Sequence, residues 1–111
     1  MQRANEFELP FRRGTSGVKY LMRGPRIDWG VIVLQPGERL GAHYHNEVEE
    51  TFYVLRGRPR IRAGDTVHQA FVGDVFRMEP REAHDVLNDA EEEAKLVFIK
   101  APFLPDDKVD V

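Results

Sequence analysis

Three of the four histidines and two nearby glutamates form the most chemically informative pattern in the sequence. His43 and His45 are separated by one residue, and on a β-strand this spacing places both imidazoles on the same face, roughly 7 Å apart. Glu49 and Glu50 follow closely, and His84 lies further along the chain. With a third ligand from this set, the two imidazoles could hold one metal ion.

Imidazole nitrogens combined with a carboxylate suit the transition metals, whereas Mg²⁺ and Ca²⁺ prefer more oxygen ligands. The pattern therefore predicts one divalent transition metal ion, with Fe, Mn, Ni, Cu and Zn as the candidates. The alternative interpretation is that the His-x-His pair is an ordinary surface pair or a hydrogen-bonded pair. The fourth histidine, His68, lies outside the pattern, and we interpret it as a surface or packed residue.

Short strands are the elements that must position these residues. Apolar or alternating runs recur along the chain, each followed by Gly, Pro, Asn or Asp residues typical of turns. No segment keeps helical apolar spacing through to a cap, and the acidic stretch 89–95 is interpreted as a loop. The predicted fold is therefore all-β, a sandwich or barrel. The predicted strands are 18–22, 27–34, 51–55, 60–62, 67–72, 75–78, 85–87 and 95–99.

Length and composition exclude several classes of protein. A chain of 111 residues is the size of one domain. Because it contains no cysteine, it has no disulfide, cysteine-ligated zinc, iron–sulfur cluster or thiol nucleophile. The net charge of −3 argues against a nucleic-acid partner. No apolar segment is long enough for a signal peptide or a membrane helix, so we expect a cytoplasmic protein without a membrane partner.

Residues 37–57 resemble the first motif of the cupin superfamily. That motif begins with a glycine, continues with His-x-His, and ends with a glutamate and a second glycine. Gly37, His43, His45, Glu50 and Gly57 occupy its fixed positions.

Residues 73–88 resemble the second cupin motif. Gly73, His84 and Asn88 keep its intervals, while Glu79 and Arg81 replace the family's proline and glycine and alter the turn before His84. The chain is therefore identified as a single cupin domain over residues 1–111, with terminal extensions at 1–14 and 102–111.

The resemblance implies a double-stranded β-helix, a small jelly-roll barrel that holds one metal ion. Its ligands would be His43, His45, Glu50 and His84, and the family interval to the second glycine selects Glu50 over Glu49. Strand alternation places Asn88 of the second motif on the same face as His84, where it could support a metal ligand or contact a substrate. Three residues are thus predicted to shape the substrate space or support the ligands: Asn88, Phe52 and Arg77.

The resemblance also implies a small-molecule ligand or substrate. We expect a metal-dependent enzyme, a dioxygenase first, then an isomerase or a lyase, without assigning a catalytic residue. One alternative is a non-catalytic module that binds or senses a small ligand, and another is a structural barrel without a reaction. The metal ligands do not select among these reactions.

Apolar residues in both extensions predict a homodimer. Phe7, Leu9 and Phe11 alternate with charges near the N-terminus, and Phe103 and Leu104 lie in the C-terminal tail. A small barrel has edge strands that a second copy can cover. We expect the N-terminal extension to form an outer strand or to lie on a partner subunit, and the tail to be loose unless its apolar residues dock.

Overall fold

The computed structural model describes residues 1–111 and contains ten β-strands and one 3-10 helix, Glu6–Glu8. No helix in the structure has the length and apolar character that crossing a membrane requires. The strands are β1 (Gly17–Arg23), β2 (Asp28–Leu34), β3 (His43–His45), β4 (Glu49–Arg56), β5 (Arg60–Ala63), β6 (Thr66–Gln69), β7 (Val75–Met78), β8 (His84–Leu87), β9 (Ala94–Ala101) and β10 (Lys108–Asp110).

The strands form two five-stranded sheets in which every neighbouring pair is antiparallel. The first sheet has the order β1-β2-β9-β4-β7, and the second has the order β10-β3-β8-β5-β6. After β2 the chain passes repeatedly from one sheet to the other, as a jelly roll requires. The all-β prediction is confirmed, and β3 and β10 are the two strands that lie outside the predicted ranges.

The apolar core lies between the sheets and follows the period-2 alternation of the strands. On the inner face of the first sheet, Phe52 of β4 lies opposite Phe98 of β9, and Val54 lies opposite Leu96 in the next row. All four are at most 1 % exposed. Burying a side chain of this size stabilises the fold by about 1.5–3 kcal/mol.

The next row towards the barrel mouth is polar instead of apolar. Asp28, Lys100 and Glu50 lie directly opposite one another on β2, β9 and β4. Directly paired residues share a face of the sheet, so all three point to the interior side. The barrel interior thus changes from apolar to charged between one row of paired residues and the next. The charged row is the one that contains Glu50.

The N-terminal extension folds onto its own barrel. The Asn5 side chain accepts a hydrogen bond from the Phe7 backbone N–H and starts the 3-10 helix. Lys19 donates to the Glu6 carbonyl oxygen, and Lys95 pairs with the Glu6 carboxylate at 2.6 Å. The structure thus differs from the predicted outer strand, because the capped turn interrupts the alternation that suggested one.

The C-terminal extension docks as well. Phe103 packs on the Gly24 turn, where a Cβ at Gly24 would lie 2.9 Å from the ring. Asp107 Oδ2 accepts the backbone N–H groups of Glu47 and Val48 at 2.8 and 3.0 Å. Because β10 also pairs with β3, the tail supports the segment that carries the His-x-His pair.

Candidate metal centre

Strand pairing brings the three motif histidines and Glu50 together inside the barrel. His43 and His45 both point inward from β3 and are 6 % and 4 % exposed. His43 lies directly opposite His84 on β8. These histidines come from the second sheet, whereas Glu50 comes from β4 of the first sheet. One potential ligand atom from each residue lies within 4.8 Å of the others.

The three imidazoles converge on a single carboxylate oxygen. Glu50 Oε1 is 3.1 Å from His45 Nε2, 3.1 Å from His84 Nε2 and 3.7 Å from His43 Nε2. All four side chains are buried, and no exposed acidic group takes part. The Nε2 atoms therefore face one another across a small volume.

Backbone carbonyls orient two of the imidazoles. His43 Nδ1 lies 2.8 Å from the Gly41 carbonyl oxygen, and His84 Nδ1 lies 3.0 Å from the Glu82 carbonyl oxygen. A carbonyl can only accept, so each Nδ1 carries the proton and donates it. In the neutral ring the Nε2 lone pair then points into the cluster, which is the tautomer a metal ligand needs.

A buried carboxylate that pairs with a surface arginine lies behind His43. Asp85 is fully buried, and its carboxylate accepts from Arg39 Nε and from the Gly41 backbone N–H, each at 2.9 Å. The carbonyl of the same Gly41 residue receives the His43 Nδ1 proton. Sequence analysis did not single out Asp85. It connects a surface arginine to a potential metal ligand.

The charges inside the cluster shift two pKa values in opposite directions. Burial alone raises the pKa of Glu50, but hydrogen bonds from His43, His45 and His84 outweigh it and hold that pKa well below its usual range. Burial alone lowers the pKa of His84, but its hydrogen bond with Glu50 and the Glu50 charge outweigh it and raise that pKa. The cluster thus keeps an anionic Glu50 carboxylate beside a His84 imidazole that retains its proton more readily.

The chemistry of the donor set fits a divalent transition metal. Three imidazole nitrogens and one carboxylate oxygen are borderline ligands suited to Fe, Mn, Ni, Cu or Zn. The residues that could hold such an ion are His43, His45, Glu50 and His84, the four predicted from the sequence. A bound cation would be held by the inward-facing Nε2 lone pairs and the Glu50 carboxylate.

Comparison with known protein families identifies the family of this chain. The family model of the cupin domain matches residues 30–100, more than half of the chain, and the matched span contains all four clustered residues. The chain belongs to the cupin family. The fold and the two motifs agree with this assignment.

Two curated relatives of this cupin come from Streptomyces. Protein SchB of Streptomyces halstedii is 36 % identical over 76 residues, which are 68 % of this chain and 55 % of that protein. Polyketide synthase CurC of Streptomyces cyaneus is 36 % identical over 78 residues, 68 % of this chain and 49 % of that protein. The chain therefore spans about half the length of the curated relatives it matches.

A solved structure shares the whole fold of this cupin. It is an uncharacterized conserved protein with a double-stranded β-helix domain from Klebsiella pneumoniae, with a TM-score of 0.86 at 18 % identity. The match covers 100 % of this chain and 97 % of that one. The two terminal extensions of this cupin therefore lie within the shared architecture.

The remaining predicted site residues of this cupin lie at different distances from the cluster. Phe52 is fully buried, and its ring centroid is 5.8 Å from that of His84, so it forms a wall of the site. Asn88 is also buried, but its amide donates to the carbonyl oxygens of Leu34 and Glu92 while its oxygen accepts from Ala90 N. These bonds hold the turn after β8 and leave Asn88 outside the cluster.

Arg77 lies on the outer face of the first sheet. Its side chain is 62 % exposed and its Nε is 3.1 Å from Glu79 Oε1 and 4.0 Å from Glu49 Oε2. In the register, Arg77 pairs with Thr51, one position out of phase with the inward Glu50. The structure therefore does not bring Arg77 to the substrate space that sequence analysis assigned it, and it also places Glu49 away from the cluster.

A pocket with a cavity volume of about 60 Å³ leads from the metal cluster of this cupin to the surface. Apolar side chains form part of its wall, among them Ile32, Leu40 and Phe98. Sequence analysis missed the polar residues of this pocket. One signal was present, since Lys100 continues the inward alternation of Leu96 and Phe98 on β9. The polar and charged residues that join the cluster in lining the pocket are Arg12, Arg13, Tyr20, Lys100 and Lys108.

Proposed function

We propose that this cupin is a metal-dependent enzyme of the dioxygenase type that acts on a small molecule. The observation that carries the proposal is the buried cluster of three imidazoles and one carboxylate at the inner end of an open pocket. When bound, a transition metal ion supplies Lewis-acid and redox chemistry to an oxygen-bearing substrate. A purely structural barrel has no need to bury four such polar side chains.

The chain's own residues prepare the site for this chemistry. The Gly41 and Glu82 carbonyls hold the rings of His43 and His84 with Nε2 facing inward. Glu50 contributes one negative charge, which leaves a divalent site with a net charge near +1 that attracts an anionic or enolate oxygen. Phe52 closes the space beside His84 and keeps water away from that side.

The substrate class follows from the same considerations. Four side-chain ligands would leave two positions for oxygen ligands on an ion that prefers six. A compound that can present two oxygen donors to one ion, such as a β-diketone, its enol form or a catechol, fits this requirement. The relative named polyketide synthase CurC supports a substrate with carbonyl oxygens at alternate positions.

Elemental analysis and oxygen uptake together test the proposal. The protein is purified without a histidine tag, analysed for metals, and then assayed with an oxygen electrode after loading with Fe²⁺, using β-diketones, catechols and enols. We expect a near-stoichiometric metal content and metal-dependent oxygen uptake with one of these classes. The His43→Ala/His84→Ala variant should lose both.

His68→Ala is the matched control for this experiment. His68 lies on the fully exposed strand β6, outside the cluster, so its variant should keep the parental metal content and activity. Substrate loss without oxygen uptake would replace the dioxygenase by an isomerase or a lyase. A protein that stays metal-free after incubation with these ions would contradict the enzyme proposal and favour a ligand-binding module.

Two further parts of the sequence-based hypothesis stay predictions. Tyr53, Leu55 and Val75 are exposed on the outer face of the first sheet, and a second copy of the chain could cover them in a homodimer. Light scattering should then give about twice the mass of 12.8 kDa for one chain. A cytoplasmic location is tested by cell fractionation.

A further inference from the structure

The pocket above the metal cluster is cationic, although the chain as a whole is acidic. The net charge of the chain is −3. In contrast, four basic side chains line the pocket, and Glu50 is its single lining carboxylate. The pocket wall thus carries a positive charge, whereas the chain as a whole is negatively charged. The basic residues are Arg12, Arg13, Lys100 and Lys108.

Of these four basic residues, Lys100 is the one whose side chain is half-buried, whereas the other three are exposed. It belongs to the polar row of the first sheet, between Asp28 and Glu50. Both carboxylates are already engaged, because Asp28 forms two hydrogen bonds with Arg23, at 3.1 and 2.9 Å, and Glu50 contacts the imidazoles. The Lys100 ammonium instead donates to Tyr20 Oη at 2.7 Å. It has a half-buried position and no carboxylate partner.

Neighbouring side chains fix the Lys100–Tyr20 pair in place. The Arg23 guanidinium lies 3.9 Å from the centre of the Tyr20 ring, and the ring of Phe98 packs edge-on against the same ring at 5.3 Å. Lys100 Nζ lies 5.0 Å from the Tyr20 ring centre. Because Tyr20 Oη accepts from Lys100, its own proton is available to a molecule in the pocket. The pair thus offers an ammonium and a phenol proton side by side.

We propose that Lys100 and Tyr20 form an oxyanion site that binds an acidic group of the substrate while the metal centre binds its oxygen donors. Arg12 and Arg13 add positive charge at the mouth of the same pocket. A partly desolvated ammonium forms short, charge-assisted hydrogen bonds with a carboxylate or phosphate. The proposal rests on the proposed function and narrows the substrate class to compounds with an acidic group. Competition with acetate and with phosphate then distinguishes a carboxylic acid from a phosphate ester.

Calorimetric titration with a matched pair of probes tests this site. The protein is loaded with Zn²⁺, which is redox-inactive, and titrated with 4,6-dioxoheptanoate and with its methyl ester. Both probes carry the same β-diketone, and only the first carries a free carboxylate. We expect the acid to bind about 10-fold more tightly than the ester or better, in keeping with one charge-assisted hydrogen bond.

Variants assign the preference to the proposed residues. Lys100→Met should remove most of the preference for the acid, and Tyr20→Phe, which keeps the aromatic ring, should reduce it. Lys95→Met is the matched control, because Lys95 lies on the same strand but pairs with Glu6 outside the pocket. The control should keep the full preference, and thermal unfolding of each variant verifies folding. A Lys95→Met variant with the same loss as Lys100→Met would overturn the assignment.

Further titrations distinguish a carboxylate from a phosphate ligand. They also test the anion site independently of the metal centre. Competition by acetate and by inorganic phosphate against the bound acid shows which anion the site prefers. Equal affinity for acid and ester in zinc-loaded protein would overturn the anion site and leave the metal centre standing. If the protein takes up no zinc, the same titrations on metal-free protein still decide the matter, since a preference for the acid there supports the site and its absence refutes it.

Discussion

Removing the Asp85 carboxylate should weaken both the fold and the metal centre. Asp85→Ala deletes the acceptor for Arg39 Nε and for the Gly41 N–H, two contacts of 2.9 Å. The side chain of Arg39 is 53 % exposed, so its charge can return to water, whereas the Gly41 N–H loses a buried partner. We expect a loss of about 2–4 kcal/mol in the free energy of unfolding. That is a large part of the roughly 5–15 kcal/mol typical of a domain.

The second effect of Asp85→Ala concerns His43. The Gly41 peptide that Asp85 holds also accepts the His43 Nδ1 proton. When this peptide can move, the orientation of the imidazole is no longer fixed. Loss of such an outer partner typically lowers metal affinity by about 10- to 100-fold. We expect a decrease of this size in the affinity for Zn²⁺.

Two assays on the same samples separate these effects. Urea unfolding of the metal-free protein gives the stability, and competition with a chromophoric chelator gives the Zn²⁺ affinity of the folded protein. Asp65→Ala is the control, since Asp65 is exposed in the turn between β5 and β6, and its variant should stay within about 0.5 kcal/mol of the parent. Parental Zn²⁺ affinity in Asp85→Ala would refute the positioning role, and parental stability would refute the energetic reasoning.

Three further substitutions should lower the stability of the fold, through core packing, through a backbone clash and through a carboxylate that titrates. Phe52→Ala should cost about 3–5 kcal/mol in urea unfolding, because it empties a fully buried site; a cost below about 1 kcal/mol would contradict this. A Cβ at Gly30 would lie 2.0 Å from the Lys19 carbonyl oxygen, whereas one at Gly37 meets nothing within 4 Å, so Gly30→Ala should lower Tm far more than Gly37→Ala; equal shifts would refute the close approach. Burial opposes ionisation of Asp107, but backbone N–H donors outweigh it and lower its pKa, so its stabilisation is present above the unfolded pKa and disappears as pH falls through the folded value. Urea unfolding of Asp107→Asn and the parent across this acid range should show the difference between them shrinking, and a constant difference would count against the role of the carboxylate.

The candidate ligands were accessible to sequence analysis through strand alternation and the resemblance to the two cupin motifs. Alternation along β3 puts His43 and His45 on one face, and the motif intervals identify Glu50 and His84 as their companions. The structure brings these four side chains together. The strand prediction succeeded for the same reason, since period-2 patterns and turn residues are visible within a few positions of the chain.

The pocket was less accessible because it depends on contacts between distant segments. Lys100 becomes a pocket residue only when β9 lies between β2 and β4 in one particular register. Arg12 belongs to a loop whose position no alternation predicts. Asn88 follows β8 and is buried, but both donors of its amide are used by backbone carbonyls and its oxygen accepts from the Ala90 N–H. Arg77 was predicted to shape the substrate space, but the pairing of β7 with β4 places it on the outer face of the sheet.

The origin of the ligands from two different sheets makes an ion at this site a cross-link. Three donors belong to the second sheet and Glu50 belongs to the first, so a bound ion would join the two halves of the barrel in a chain that has no cysteine for a disulfide. Pulling the sheets apart would then require breaking coordinate bonds as well as apolar contacts. If the ion binds the packed barrel more tightly than a loosened one, a core substitution that loosens the packing between the sheets also weakens metal binding. By linkage, the loss can be at most the difference in metal-binding free energy between the packed and loosened states. Metal affinity thus becomes a measure of how firmly the barrel is closed.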